Sequence, residues 1–599
     1  MKTHHASVRA DVGATYAVVN PRLFGSFVEH LGRCVYTGIY EPGHPKAGED
    51  GFRQDVLDLV RELGVTTVRY PGGNFVSGYR WEDGVGPKEA RPRRLDLAWH
   101  STETNQFGLD EFMAWAQAAG IEPMMAVNLG TRGLEEALDL LEYTNVSGGT
   151  AVADARGANG HAEPYGVSMW CLGNEMDGPW QLGHRDAAGY GELAGRVGAG
   201  MLQIDPGLEL VVCGSSNSGM PTFGTWEKEV LRHTWDVVSH ISAHAYYEEK
   251  DGDLQSFLAS AVDMDRFICV VAGVIDEVAA ERAADGLTAT EPRKVGISFD
   301  EWNVWYQRHW ETEEKVTGVA DPWPVAPRLL ENSYTVADAV VVGSLLISLV
   351  RRADVVTSAS MAQLVNAIAP IMTEPGGPAW RQTSFYPFAV AANLARGEVV
   401  ECSVAAPGME TADYGDVPAV DAVVTVDRAA GRGLVMAVNR SLNHDVVLDL
   451  AFVGRENVLG NGAKAPVKGE SDVAAPVAMK DRRASSITDQ RTAGSSELEP
   501  RGARTDQTAD LSHQDVDPHS IHVLPKFSAS AKTGESYLES GPSAPAIRRV
   551  RMLNDPDLRA ANTLEDPGRV TLREIDPGDL AGGELRLPAV SWVAIEFEI

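Results

Sequence analysis

Two carboxylates stand out in the 599-residue chain because each directly follows an apolar run: Glu175 after 168–172 and Glu301 after 295–299. Such groups gain a chemistry when they face each other. A carboxyl group that holds a proton and an ionised carboxylate, on either side of a glycosidic bond, can protonate the leaving oxygen and attack or support the anomeric carbon. A separation of about 5 Å makes such a pair retaining, and a much wider gap makes it inverting. Six other apolar runs also end in polar groups: Glu29-His30, Arg69 through Asn74, Asn128, Ser215 through Asn217, His244 with Tyr246 and Tyr247, and Gln363 with Asn366, while Asn174 stands beside Glu175. One such ending is routine. Eight gathered on one rim describe a cradle for a polar, sugar-like ligand with carboxylates at its centre.

The elements that must position these groups are legible as periodicity. Short apolar runs at 23–28, 67–70, 123–127, 168–172, 210–213, 239–243, 295–299 and 355–359 alternate with helix-like stretches such as 52–62, 109–119, 187–201 and 335–350. Eight strands with helical crossovers imply a parallel sheet, and eight is the number that closes a (β/α)8 TIM barrel. A doubly wound open sheet is the alternative, but no G-x-G-x-x-G follows the first strand. In a barrel, strands four and seven lie nearly opposite, so Glu175 and Glu301 can flank one small ligand.

Past residue 385 the period changes. Segments 422–427, 433–438, 445–450, 569–573 and 592–597 are short, alternating and rich in Val and Ile, as half-buried antiparallel strands are. The reading is an α/β chain with a catalytic barrel over 19–385 and a C-terminal antiparallel β-sandwich over 386–599, joined by an N-terminal strand from 1–18. Between Phe452 and Phe527 no Phe, Tyr or Trp occurs. A stretch at about 455–545, rich in small and polar residues, is expected to be a disordered insertion, a tolerated loop expansion rather than a regulatory tail.

Composition narrows the partners. Lys plus Arg number 52 against 84 Asp plus Glu, a net charge of −32. That charge repels phosphate backbones and anionic headgroups, so neither nucleic acid nor a membrane surface is expected as a partner. The five cysteines are scattered and lack any C-x-x-C pair, which fits a reducing compartment. The polar N-terminus has no signal-peptide core, and the apolar run 336–350 is short and contains Asp338, as a buried helix would. A cytoplasmic protein is expected.

Six strings carry a family resemblance: FGSFVEHLGRCVYTGIYEPGHP (24–45), VRYPGGNFVSGYRWEDGVGP (68–87), CLGNEMDGPWQLGH (171–184), HAYY (244–247), ISFDEWNVWY (297–306) and AQLVNAIAPI (362–371). In order across the barrel, they resemble the intracellular α-L-arabinofuranosidases of glycoside hydrolase family 51. The resemblance implies a retaining, exo-acting enzyme that releases terminal α-L-arabinofuranosyl groups from arabino- and arabinoxylo-oligosaccharides. It makes Glu175 the general acid/base and Glu301 the nucleophile. A negative Glu301 nearby favours the protonated form of Glu175, and that influence vanishes once the glycosyl-enzyme forms. Asn174 would bond the hydroxyl next to the reacting carbon, and Tyr246 would bond the nucleophile. Glu29, Arg69, Asn74 and Gln363 match positions that hold furanose hydroxyls, with Trp99 and Trp305 as apolar walls. No cofactor or metal is implied, and a homo-oligomer, a hexamer, is. A β-xylosidase or endoglucanase on the same scaffold is the alternative enzyme, and a silent carbohydrate-binding protein the alternative class.

Plainer readings stand beside these. Asp300 would point away from Glu301 in a regular strand and serve structure. Arg69 could be a barrel ion-pair partner. His240 and His244 are spaced like a metal pair but lack a third ligand. Cys34 and Cys171 read as buried thiols, and Gly72-Gly73 as a turn. Trp302, Trp305, Tyr306 and Trp310 could be core or sugar platforms.

Overall fold

A computed structural model describes residues 4–287, 294–315, 322–453, 545–580 and 584–599. The expected insertion at about 455–545 lies outside the described residues, apart from its last position. In chain order the strands are β1 (His4–Val18), β2 (Gly25–Phe27), β3 (Thr67–Tyr70), β4 (Arg94–Asp96), β5 (Ser101–Glu103), β6 (Glu122–Ala126), β7 (Met169–Leu172), β8 (Glu209–Val212), β9 (His240–Tyr247), β10 (Gly296–Val304), β11 (Val356–Met361), β12 (Ile371–Thr373) and β13 (Ala379–Arg381). There follow β14 (Glu398–Ala405), β15 (Gly408–Thr411), β16 (Gly415–Pro418), β17 (Val420–Asp427), β18 (Arg432–Asn439), β19 (Val446–Val453), β20 (Ile547–Leu553), β21 (Arg573–Ile575), β22 (Glu584–Leu587) and β23 (Ser591–Glu598).

Eight strands close a barrel in the order β10-β11-β2-β3-β6-β7-β8-β9, every pair parallel. Helices cross over between them as the amphipathic pattern requires. Gln54–Leu63 buries Val56, Leu57, Val60 and Leu63 and stops at Gly64, whose φ of 80° suits a left-handed cap. The apolar run with Asp338 forms the helix Val336–Arg351, buried almost throughout, and Asp338 closes a capping box with Thr335. Among the described residues no helix is long and apolar enough to cross a membrane. At the N-terminal end of the barrel, Arg22 pairs with Glu122 at 2.5 Å and Glu209 at 2.8 Å. This ties together the starts of β6 and β8 and leaves the opposite rim free for chemistry.

The remaining large sheet has nine strands in the order β21-β20-β23-β18-β17-β14-β1-β19-β22. It is antiparallel except where β1 pairs parallel with β19. It is one continuous sheet, curled on itself. Val550 and Met552 of β20 share a core with Leu448 of β19 and Leu585 of β22, although these strands sit at opposite ends of the order.

The strand expected at 569–573 begins at Arg573 instead. Asn562 accounts for this: it donates to the Val570 carbonyl at 3.0 Å and accepts from the Val570 amide at 2.7 Å. A side-chain amide thus stands in for a neighbouring strand and lets Val570 be buried without a ladder.

Candidate active site

Glu301 lies inside β10 rather than after it, and a bulge accounts for this. Between Ser298 and Glu301, β10 spends three residues where β9 spends two, from Ser242 to His244. The same stretch slips against β11. Consecutive side chains therefore escape strict alternation. Glu301 receives Arg69 Nη1 at 2.7 Å, and Asp300 Oδ2 still comes within 4.0 Å of Arg69 Nε. Asp300 is buried and bonded, as expected of a structural residue, but it does not turn away from the Glu301 partner. Ser298 donates to it, and the Cys171 thiol lies 3.6 Å from it.

Arg69, from β3, reaches both halves of the site, because Nη2 donates to Asn174 Oδ1 at 2.6 Å. Asn174 Nδ2 in turn lies 3.4 Å from Asn74 Oδ1. Tyr246, at the end of β9, donates to Glu301 Oε2 at 2.6 Å, and its ring meets Trp305 edge-on at 5.1 Å. Glu175 follows β7 through Gly173, with φ of 93° and then 43° for Glu175 itself. A left-handed backbone at a non-glycine residue costs energy and persists where its surroundings hold it. Here it brings Glu175 Oε1 to 3.0 Å from His244 Nδ1 and Oε2 to 2.6 Å from the indole Nε1 of Trp180. Glu175, Glu301 and His244 each offer an atom within 4.8 Å of the others.

A second group adjoins the first. Glu29 is buried and accepts at Oε1 from the Phe75 amide and from Trp99 Nε1, both at 2.8 Å, and at Oε2 from Gln363 at 3.0 Å. Gly73 leaves the room: a Cβ there would lie 2.6 Å from Glu29 Oε2. Trp99 therefore contributes a donor as well as a wall, and its ring packs edge-on against Trp310.

The electrostatics separate these carboxyl groups. Burial disfavours an ionised Glu301, yet the charges of His244 and Arg69, with the Tyr246 and Arg69 hydrogen bonds, outweigh it and hold Glu301 below the usual carboxylate range. Burial lifts Glu29 to about 8, helped by the charges of Glu301 and Asp96. Burial also raises Asp300. His244 is buried too, but Glu301 and Glu175 keep it above its usual value. The arrangement thus offers one stabilised anion, one neutral acid and an imidazole between two carboxylates, which is a site for moving protons. An imidazole and two carboxylates are also metal-ligand types, but here Arg69 already supplies the positive charge that Glu301 faces.

The structure thus brings Glu175, Glu301, Arg69, Asn174, Asn74 and Tyr246 into one network, with Glu29, Trp99 and Gln363 beside it and Trp305 reached through Tyr246. Trp302 belongs to the core instead, fully buried against Phe388. Cys34 and Cys171 are buried free thiols. His240 and His244 share a face of β9, but four residues of strand separate them by about 13 Å. His240 sits instead near Arg22 and Glu209 and is pushed down to about 4 by burial. Sequence reasoning missed the bonds of Trp180 and His244 to Glu175. Both residues lie within quoted strings, and an indole five positions after a loop carboxylate was the available signal.

Comparison with known proteins identifies the family. The family model for the α-L-arabinofuranosidase C-terminal domain matches residues 300–591, and that for the α-L-arabinofuranosidase 1 domain matches 59–251. An intracellular exo-α-(1→5)-L-arabinofuranosidase of Streptomyces lividans is 58% identical over 448 residues, 74% of this chain and 66% of that protein. An exo-α-(1→6)-L-arabinofuranosidase of Bifidobacterium longum is 58% identical over 473 residues, 78% of this chain and 88% of the relative. A solved family 51 α-L-arabinofuranosidase from Bifidobacterium longum superposes with a TM-score of 0.78 at 44% identity, covering 100% of both chains. With the barrel, the curled sheet and the carboxylate pair in place, the chain belongs to glycoside hydrolase family 51, the α-L-arabinofuranosidases.

Proposed function

We propose that the chain is a retaining, exo-acting α-L-arabinofuranosidase working on arabino- and arabinoxylo-oligosaccharides in the cytoplasm. The observation that carries this reading is the approach of Glu175 and Glu301, whose oxygens lie within 4.8 Å of each other. That spacing suits a nucleophile and an acid on one bond and leaves no room for the water an inverting pair needs. In the first step Glu301 forms a bond to the anomeric carbon while the carbon–oxygen bond breaks. The departing electron pair stays on the leaving oxygen, which takes the proton of Glu175. In the second step Glu175 takes a proton from water, the water oxygen bonds to the anomeric carbon, and Glu301 leaves as a carboxylate. Arg69 and Tyr246 hold Glu301 ionised for attack and receive its charge again on release. Asn174, fixed by Arg69, bonds the neighbouring hydroxyl, and Glu29, Asn74 and Gln363 hold the others. The Streptomyces relative's name supports the intracellular setting.

The test is Glu175→Ala with an aryl α-L-arabinofuranoside. Added azide restores turnover and gives the α-configured azide, because Glu301 still forms the intermediate. A β-configured azide means that the two glutamates exchange roles. A hundredfold preference of the wild type for an aryl β-D-xyloside overturns the substrate reading in favour of a xylosidase on this scaffold.

A further inference from the structure

The turn that aims Glu175 starts where a strand pair ends. β7 and β8 pair as far as Leu172 and Val212, and beyond them both chains leave the ladder. Gly173 and Glu175 then take left-handed backbones, and such a turn persists only where its surroundings hold it. At its root stands Tyr190, wholly buried, from the helix Ala187–Ile204. The Tyr190 hydroxyl donates to the Leu172 carbonyl at 2.6 Å and accepts from the Cys213 amide at 2.8 Å. A phenol can do both at once, so it bridges the strand ends where they part. Trp226, from the helix Thr225–Thr234, stacks on the Tyr190 ring with centroids 5.6 Å apart and planes 10° apart. Its Nε1 donates to the Cys213 carbonyl at 2.9 Å, so Cys213 is held at both its amide and its carbonyl. The far side of the turn is fastened to the same strand end: the Ser216 amide and hydroxyl donate to the Asp177 carboxylate at 3.0 and 2.9 Å.

We propose that Tyr190 is a positioning residue for the general acid: its hydroxyl joins the ends of β7 and β8 and so sets the direction in which Glu175 presents its proton. The inference rests on the arabinofuranosidase reading above, with Glu175 as the acid. Tyr190 acts through the backbone, from Leu172 along the turn to Glu175. Proton transfer requires the acid within hydrogen-bond reach of the leaving oxygen, so a small swing of this turn is felt first in protonation. Glu301 does not share the anchor, because Arg69 and Tyr246 hold it from β3 and β9. Any loss through Asn174, on the same turn, falls on every arabinofuranoside alike.

The test compares leaving groups. 2,4-Dinitrophenyl α-L-arabinofuranoside releases a phenolate that needs no proton, whereas methyl α-L-arabinofuranoside releases an alkoxide that does. Both form the same glycosyl-enzyme, so the ratio of kcat/KM on the methyl to that on the dinitrophenyl glycoside isolates the acid. In Tyr190→Phe the ring and its stack remain, and this ratio falls about tenfold. A merely structural loss lowers both values together and leaves the ratio in place. Tyr143→Phe removes another buried hydroxyl, bonded to Asp110, and serves as the control with an unchanged ratio. If Tyr190→Phe does not fold, Trp226→Phe, which lacks the donor to Cys213, decides instead, with a fall of about threefold. A ratio within about twofold of wild type in the deciding variant, or an equal fall in the control, overturns the inference. Wild type and Glu175→Ala are read first. No wild-type turnover of the dinitrophenyl glycoside removes the arabinofuranosidase reading, and a ratio unmoved in Glu175→Ala removes the acid; either takes this inference with it. With both in place, an unmoved ratio in the deciding variant removes this inference alone.

Discussion

Replacing Tyr246 by Phe isolates one hydrogen bond to the nucleophile. The ring remains, so its edge contact with Trp305 at 5.1 Å is kept. What disappears is the donor 2.6 Å from Glu301 Oε2. Oε1 keeps Arg69 at 2.7 Å, while the next polar group to Oε2 is His244 Nδ1 at 3.7 Å. A hydrogen bond to a charged group is worth about 1.5–3 kcal/mol, and about 1.4 kcal/mol corresponds to one pKa unit. His244 or water recovers part of the loss, so about one unit is expected. The sign follows from the role. Glu301 attacks only when ionised, Tyr246 helps hold it below the usual carboxylate range, and the variant must therefore reach a higher pH before Glu301 is ready. The assay is kcat/KM against pH on an aryl α-L-arabinofuranoside, which reports groups of the free enzyme. Glu175, His244 and Glu301 interact, so the acidic limb belongs to the trio, but Tyr246 donates only to Glu301. The limb should move up by about one unit. A limb that stays in place while the plateau falls, or one that moves down, refutes the assignment of Tyr246 to charge stabilisation of Glu301.

Glu29→Gln should improve stability at alkaline pH. Native Glu29 titrates at about 8 against an ordinary 4.5, so its contribution is complete below the lower value and lost as pH rises through the upper one. Thermal melts at about pH 4 and about pH 9 should show the variant gaining on wild type between them, and a constant difference contradicts the burial argument. Asp421→Asn leaves buried Arg440 without the carboxylate that pairs with it at 3.2 Å, where the helix Val336–Arg351 meets the sheet, while Arg351 loses the same partner at 2.6 Å but keeps Asp265 at 2.6 Å. Stranding buried charge costs about 3–5 kcal/mol, read as a lower denaturant midpoint near neutral pH. Asp421 is held below its ordinary 3.8 by its arginine partners against burial, so the gap should close as pH falls below that value.

The barrel was readable because local periodicity and global topology agree. Each apolar run is short, each crossover is amphipathic, and eight such units have few ways to bury both faces. The polar strand ends followed from that register. The bulge in β10 did not, because it is defined by how β10 pairs with β9 and β11, and the run 297–306 looks like an ordinary strand. The turn that sends Glu175 to Trp180 and His244 was equally hidden: a φ of 43° has no signature in residue type. The order of the nine-stranded sheet also escapes local reading, since β1 lies between β14 and β19, about four hundred residues along the chain from either.

The charge of the whole chain and the charge of the pocket answer different needs. The sequence carries −32, yet the pocket sets the Arg69 guanidinium against Glu301, and burial favours the neutral forms of Glu29 and Asp300. A balanced pocket rich in donors and acceptors suits a neutral sugar, whose hydroxyls must be matched rather than attracted. Such matching is specific to the sugar being transferred. The two relatives at 58% identity are named for the same transferred sugar but for different linkages, (1→5) and (1→6). A ring of buried, mutually bonded side chains tolerates little change, because each group lost leaves another unpaired. Linkage is therefore expected to vary where partners are few and exposure is high, on the outward side of Glu175, where Trp180 and Leu182 stand.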